Sequence, residues 1–458
     1  MFPRPNGLAR SSADNDPLTS ARARAVGPLH WLALGLFALT VLLSIAAVKI
    51  TIGPVPVRLL ILIASSFCLL LADAETLTDS IRRSRWLILV VALTGLLGIV
   101  VSLLAGAPPA DLMRQLLEIH VQSIFNAVVA YALILRFGIA RPFYCFLAAF
   151  ALSAVVAVGQ ALQIDAAWAA RAAIGGLMRD DPLTQHWYLS RERALGLSFS
   201  PVHFGTQSCL AFAAVVLMRF GSADFSFDRI DRKLVAAMLV LIALNALTGN
   251  RSPLLGMVVF LAVYGLVVAP RIVLIALPVA LTAALVLPIL MESLSQVGVR
   301  VAETEDGSAA GRATLRAFGL FLLQQRPIGY GLTFESTDYW SSFAHRASYM
   351  DSWLAIRQYA LHNYFLNVLN KYGILLLMVL PMIAPRNKRQ LAMWFAFLPY
   401  IIHIYYHNDG PLLADFMIFF LLPAALLLAG RGKDDPRGGT AQPVPAHKWR
   451  RAFARPAG

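Results

Sequence analysis

The chain reads as an all-α polytopic membrane protein of about 12 transmembrane helices with two external loops, the larger one partly helical. Three observations lead there. Of its 458 residues, 58% are hydrophobic and only 14% are charged, against about a quarter charged in soluble domains. Mean hydropathy is +0.67. The apolar residues also come in long runs, each close to the ~20 residues that a helix needs to cross a bilayer.

Taken by apolar length, the expected spans are 28–48, 54–72, 86–105, 119–135, 143–162, 203–218, 234–249, 252–269, 272–291, 373–385, 391–407 and 411–429. The seventh and eighth meet in a tight turn at Asn250-Arg251-Ser252. Residues 361–385 read as a helical stretch whose first half lies outside the membrane. The three cysteines, Cys68, Cys145 and Cys209, all sit inside apolar runs, where they act as small hydrophobes and exclude a secreted disulfide scaffold.

The net charge of +14 would suggest nucleic acid in a soluble protein. In a membrane protein, basic residues mark the cytoplasmic side. With the N-terminus inside, the clusters Arg82-Arg83-Ser84-Arg85, Arg136 with Arg141, Arg229 through Lys233, Arg386 through Arg389 and the tail from Arg431 all fall inside. These inner segments hold most of the basic residues and the whole net charge, so the basicity reports topology and no nucleic-acid partner is expected. The resulting division is a disordered cytoplasmic tail (1–27), spans one to nine (28–291) with a first external loop at 163–202, a large periplasmic loop (292–372), spans ten to twelve (373–429), and a basic cytoplasmic tail (430–458).

Ionisable residues in spans are functional suspects. Here Arg58, Glu118, His120, Arg251, His403, His407, Asp409 and Asp415 all fall at external span ends, and Gln122, Asn126, Gln207 and Asn245 are polar but neutral. A proton-coupled transporter needs ionisable groups near the midplane, and none stands out. Taken singly, Glu118, His120 and His407 read as interfacial residues. His403 and Asp415 read as a hydrogen-bonded tie between the last two spans or, alternatively, as groups orienting an acceptor.

Both external loops are internally charge-balanced, so their arginines do not reflect a generally basic surface. In the larger loop, residues 301–310 are acidic and small and read as flexible. A helix follows over 311–325, with Arg312 and Arg316 on one face. Arg326-Pro327 and Gly329 stop it. A second helical run begins near Asp351 and carries Trp353, Arg357, His362 and Asn363. Trp187, Trp340 and Trp353 read as interfacial anchors before sugar-stacking platforms.

Four pieces of this pattern resemble the O-antigen ligase and polymerase family of bacterial membrane glycosyltransferases: Arg193-Ala-Leu-Gly-Leu-Ser-Phe-Ser-Pro201, Thr248-Gly-Asn-Arg251-Ser-Pro-Leu-Leu-Gly256, Gly311-Arg312 with Arg326-Pro-Ile-Gly-Tyr-Gly331, and His362-Asn363 with Leu366 and Gly373. Each is weak alone, but all four occur in order among the spans. Asn250 departs from the family's usual Ser. The resemblance implies an undecaprenyl-pyrophosphate-linked saccharide donor, a glycan or lipid A-core acceptor, and transfer at the outer face of the inner membrane.

That chemistry sets two tasks. A lipid pyrophosphate leaving group gains charge as the glycosidic bond breaks and needs forked, permanently protonated donors. Arg251 and Arg312 are the candidates, with Arg193 and Arg316 behind them. The acceptor hydroxyl needs a proton acceptor near neutral pH, and His362 is the candidate. Asn363 and Asn250 are expected to bind or position substrate. No Asp-x-Asp motif suggests a metal, so neither metal nor other cofactor is expected. Each residue also has a plainer reading: Arg251 snorkelling, Arg312 solvated, His362 interfacial, Arg193 paired with Glu192 or Asp181. Polymerase and ligase remain undivided. A flippase or transporter of lipid-linked saccharides, and a non-catalytic scaffold for polysaccharide assembly, are the alternatives from other classes.

Overall fold

The computed structural model describes residues 26–46, 50–178, 182–191, 193–222, 225, 229–268, 307–350, 352–385, 387–408, 410–413 and 417–430. Residues 1–25 and 431–458 of the expected tails, the expected ninth span at 272–291, Asp181, Glu192, Asp409 and Asp415 lie outside the described residues.

The molecule is built from helices, as expected, and the only strands described form a two-stranded hairpin. Helix α1 (Pro28–Ile45) starts on a proline, whose missing N–H costs nothing in a first turn. Strands β1 (Thr51–Ile52) and β2 (Val55–Pro56) pair antiparallel with Thr51 opposite Pro56. Helix α2 runs Val57–Leu104, but Asp73 is non-helical inside it (φ −163°, ψ 79°). Helix α3 (Pro109–Phe137) contains a π-helical segment, Leu116–Val121, carrying Glu118 and His120. The two halves of α2 fold back along α3. Arg58 in the first half lies 3.6 Å from Glu118, while Gly95 in the second half faces His120. At the opposite end Asp73 pairs with Arg136 at 3.8 Å. Two helical halves thus meet in a sharp bend at Asp73, in the part of the chain where the sequence places the separate spans 54–72 and 86–105.

Helix α4 (Ala140–Ala161) is followed by α5 (Asp165–Met178) and α6 (Pro182–Ser190). Helices α7 (Pro201–Phe220), α8 (Arg232–Leu247) and α9 (Arg251–Val268) follow. Ser200 and Asp231 cap α7 and α8 by accepting from the His203 and Leu234 amides, each replacing a bond that a helix start lacks. The tight turn between α8 and α9 is as expected, with Gly249 at φ +71°.

Helix α10 spans Gly307–Gln325, four residues longer at its start than the expected 311–325, so the small residues 307–310 are helical. After a 3-10 segment at Ser336–Ser342 and single turns at Ala344–Ala347 and Ala355–Gln358 comes α11 (Tyr364–Tyr372). The expected helical stretch 361–385 is broken. Gly373 takes φ +78°, a conformation that favours glycine, and Ile374–Val379 continues as a 3-10 segment. Helices α12 (Lys388–Phe395), α13 (Leu398–Tyr406) and α14 (Ile418–Gly430) close the chain.

Six helices among the described residues (α1, α2, α3, α4, α7 and α9) are long and apolar enough to cross a membrane, against the twelve spans expected. The bend in α2 lets it make two passes. One large apolar core joins α1 to α4, α7 to α9 and α12 to α14, including Phe37, Phe143, Phe212, Phe260, Phe397 and Phe420. The large loop has a second core of its own around Leu315, Phe318, Leu322, Phe334, Phe343, Ile356 and Leu361. Leu332, Val368 and Tyr372 join that loop to Leu112 at the start of α3.

Candidate active site

Helices α7, α9 and α13 converge at the bundle end that carries both loops. There, Ser252 Oγ lies 2.9 Å from His403 Nδ1 and 3.0 Å from His407 Nε2. His403 Nε2 lies 3.0 Å from Thr206 Oγ1 on α7. The two imidazoles are 4.7 Å apart between centroids, and His407 is 6.2 Å from the ring of His362 in the large loop. His403 and His407, one helical turn apart, thus meet His362 from the large loop in one group.

His407 is the residue directly after α13, on the connection to α14. It is buried, and His403, Arg312, His362 and Arg193 lie close enough to interact with it electrostatically. Two of the predicted arginines, Arg312 and Arg193, thus act electrostatically on the same ring that faces His362.

The local chain explains how each arrives. Gln160 Oε1 accepts from the amides of Leu195 and Gly196 at 2.9 and 2.8 Å, and the Leu197 amide donates to Ser153 Oγ at 3.0 Å. The segment following Arg193 is therefore clamped to α4. In the same loop the buried Arg171 donates to the Ser198 carbonyl at 2.8 Å. Arg312 sits near the start of α10, whose inner face (Leu315, Phe318, Leu322) builds the loop core.

His362 Nδ1 lies 2.8 Å from the Ala360 carbonyl. A carbonyl only accepts, so Nδ1 carries the hydrogen, and the neutral ring keeps its lone pair on Nε2.

The remaining predicted residues take other positions. Arg251 is the first residue of α9 and half-buried; the group bonded to the histidines is its neighbour Ser252. Arg316, one turn after Arg312, is exposed and places its guanidinium 5.3 Å from the centroid of Tyr405. Asn363 accepts from the Leu366 amide at 3.0 Å as the N-cap of α11 and donates to the Tyr405 carbonyl at 3.1 Å. Asn250 donates to Thr248 Oγ1 at 2.9 Å inside the α8–α9 turn. The asparagines hold backbone beside the cluster. Of the tryptophans, Trp340 lies under the guanidinium of Arg357 at 5.3 Å and Trp353 is exposed.

Sequence reasoning gave Ser252 and Thr206 no part in a site, read His407 as interfacial, and read His403 with Asp415 as a tie between spans or as groups orienting an acceptor. Only the recurrence of histidine at 403 and 407, one helical turn apart, signalled a shared face. Among the described residues, no three His, Cys, Asp or Glu side chains are grouped to hold a metal ion.

The fold and this cluster define a multi-pass helical membrane protein with cationic and imidazole groups gathered where its loops meet the bundle. Residues 236–380 match the family described as O-antigen ligase. The match takes in Arg251, Arg312, Arg316 and His362, and leaves Arg193, His403 and His407 outside it. No curated protein and no solved structure matches the chain.

Proposed function

We propose that the protein is an O-antigen ligase/polymerase-type glycosyltransferase that moves a saccharide from undecaprenyl pyrophosphate to an acceptor sugar hydroxyl, in the biosynthesis of a surface polysaccharide. The observation that carries this reading is the gathering of Arg312, Arg193 and His362 around one buried imidazole, His407, at the end of the bundle where both loops lie. The excess of Lys and Arg at the other end supports an orientation with both termini cytoplasmic and this cluster at the periplasmic face of the inner membrane.

In this scheme the lipid tail lies among the spans and its pyrophosphate reaches Arg312 and Arg193, with Arg251 at the start of α9 close to headgroup depth. Their fixed charges favour the transition state, in which the anomeric carbon–oxygen bond breaks and negative charge builds on the departing pyrophosphate. The acceptor hydroxyl gives its proton to His362 Nε2 as its oxygen bonds the anomeric carbon. Two guanidinium groups neutralise the leaving group, so the scheme needs neither a metal nor a separate acid.

The test is transfer by purified protein supplied with an undecaprenyl-pyrophosphate-linked oligosaccharide and a glycan acceptor. Arg312→Ala and His362→Ala should abolish transfer while membrane abundance stays at the wild-type level. Retained activity in either variant removes that residue from the scheme. Wild-type protein that carries the donor across a bilayer without forming a glycosidic bond overturns the scheme altogether.

A further inference from the structure

The stretch from Ser352 to Tyr359 joins the two loop residues to which the scheme gives separate tasks. At one end it packs on Gly311, the residue before Arg312: a Cβ on that glycine would stand 3.6 Å from the Cβ of Ala355 and 3.9 Å from that of Ser352. Trp353 lies between these two contacts in sequence. At the other end the ring of Tyr359 lies 5.9 Å from that of His362, edge to face at 80°. Ala355 and Ile356 turn inward and belong to the loop core. They anchor the stretch, and the chain leaves their helical turn in extended form at Tyr359 (φ −127°, ψ 141°).

The large rings on either side of this anchor are left out of the core. Trp353 is 37% exposed and Tyr359 46%, and neither joins the loop core, which is already filled by Phe318, Phe334 and Phe343. Two large rings so close in sequence, both left in water, forgo burial energy and mark a contact surface. Ser352 adds backbone strain at φ +53°, a conformation rare outside glycine that recurs at ligand-binding segments. Exposed Arg357 and Gln358 come between the rings in sequence. A segment lying in a bilayer keeps an unbroken apolar face. Rings interleaved with hydrogen-bond donors suit a pyranose instead, whose C–H face is apolar and whose rim carries hydroxyls.

We propose that this stretch is a two-ended sugar platform: Tyr359 stacks on the acceptor sugar whose hydroxyl reaches His362, and Trp353 stacks on the donor sugar whose pyrophosphate reaches Arg312. The inference rests on the glycosyltransferase reading above and assigns one aromatic ring to each saccharide. Because Ala355 and Ile356 fix both rings to one turn, the platform sets the two sugars side by side before the bond between them forms.

Leucine separates stacking from plain apolar contact, since it keeps apolar bulk and removes the ring, and phenylalanine brings the ring back. The test uses full-length protein reconstituted in vesicles. Its donor is an undecaprenyl-pyrophosphate-linked oligosaccharide methylated at the non-reducing end, so that it can only donate. Its acceptor is purified lipid A-core or the same oligosaccharide, unmethylated and freed of its lipid pyrophosphate, so that it can only accept. Tyr359→Leu should raise the acceptor KM by about tenfold, the loss of one aromatic contact, with the donor KM unchanged. Trp353→Leu should raise the donor KM by a similar factor, with the acceptor KM unchanged. Tyr359→Phe and Trp353→Phe should bring each value back to within about threefold of wild type. Both rings are exposed, so the unfolding temperature should not move in any of the four variants.

Leucine tolerated at both positions overturns the inference and leaves the transferase reading in place; it is the result for rings that only rest in lipid. Donor and acceptor KM rising together in each variant overturns it too, because that reports a shift of the whole stretch. So does a change at only one of the two positions. A wild-type chain that forms no glycosidic bond, with methylated or unmethylated donor, overturns the transferase reading, and this inference with it.

Discussion

The guanidinium of Arg316 lies over the ring of Tyr405, 5.3 Å from its centroid. This contact fastens α10 of the large loop to α13 of the bundle. It also separates Arg316 from Arg312: the first holds the loop in place, and the second acts on His407. Arg316→Ala should therefore lower transfer only about two- to fivefold, in keeping with an exposed cation–π contact of about 0.5–1 kcal/mol. Arg312→Ala should cost on the order of a hundredfold or more, as expected of a charge that stabilises the transition state. Initial rates of the two variants at equal membrane abundance decide this; equal losses would put Arg316 in the chemistry.

Asn363 performs two tasks with one amide, capping α11 and bonding the Tyr405 carbonyl. Asn363→Ala should lower the stability of the folded protein by about 1–2 kcal/mol, a lost cap plus a lost hydrogen bond. Asn363→Asp keeps the cap but removes the donor toward Tyr405, so it should fall between the two in thermal unfolding. If both variants unfold like wild type and yet lose transfer, Asn363 serves the substrate and not the backbone.

Gly331 and Gly373 let two segments pass without side chains between them. Gly331 has φ +98° and its missing Cβ points at Ser102 of α2. Gly373 has φ +78° and faces the Ile328 backbone. Hydrogen bonds run beside both contacts: the Leu332 amide to Ser102 Oγ at 2.6 Å and the Ile374 amide to the Pro327 carbonyl at 2.9 Å. Alanine at either position combines a left-handed backbone with overpacking, a cost of about 2–4 kcal/mol. Both variants should show reduced abundance in the membrane and a lowered unfolding temperature. Wild-type levels with intact activity would show that the two segments can part.

Lys371, at the end of α11 in the large loop, is buried, and burial lowers its ammonium to about 8, against the pull of Glu335 and Glu118. The unfolded chain keeps that proton up to about 10.5. Between these values the unfolded state holds more protons than the folded one, so stability from this site rises with pH and is lost as pH falls through the lower value. Wild-type protein should gain in unfolding temperature on Lys371→Met as pH rises from 8 toward 10.5. A constant difference between the two would mean that Lys371 releases its proton no earlier in the folded state.

Composition and apolar run length made the helical membrane class readable, and the four short motifs pointed to the O-antigen ligase family and to the loop that carries Arg312 and His362. Less readable was what tertiary contact supplies. Ser252 lies 151 residues from His403 and 155 from His407 in sequence, and a serine at a helix start gives no sign that two imidazoles will meet on it. His407 alone at a helix end looks like an interfacial residue, because the burial that makes it unusual comes from a loop folded elsewhere. The polar residues 73–85 read as a connection between two spans, and the structure breaks helical geometry at Asp73; that residues 74–85 are themselves helical was not legible.

The large loop is sewn to three different helices, to α2 through Ser102, to α3 through the bond of 3.2 Å between Tyr372 and His120, and to α13 through Tyr405. A change in the lean of any one of these helices pulls on the stitching and moves His362 against His407. Bilayer thickness, which sets helix tilt, thereby becomes a control on turnover exerted by the lipids. Vesicles prepared from a series of acyl-chain lengths should give a rate with a single optimum, whereas a flat profile would mean that the stitches stretch before the imidazoles separate.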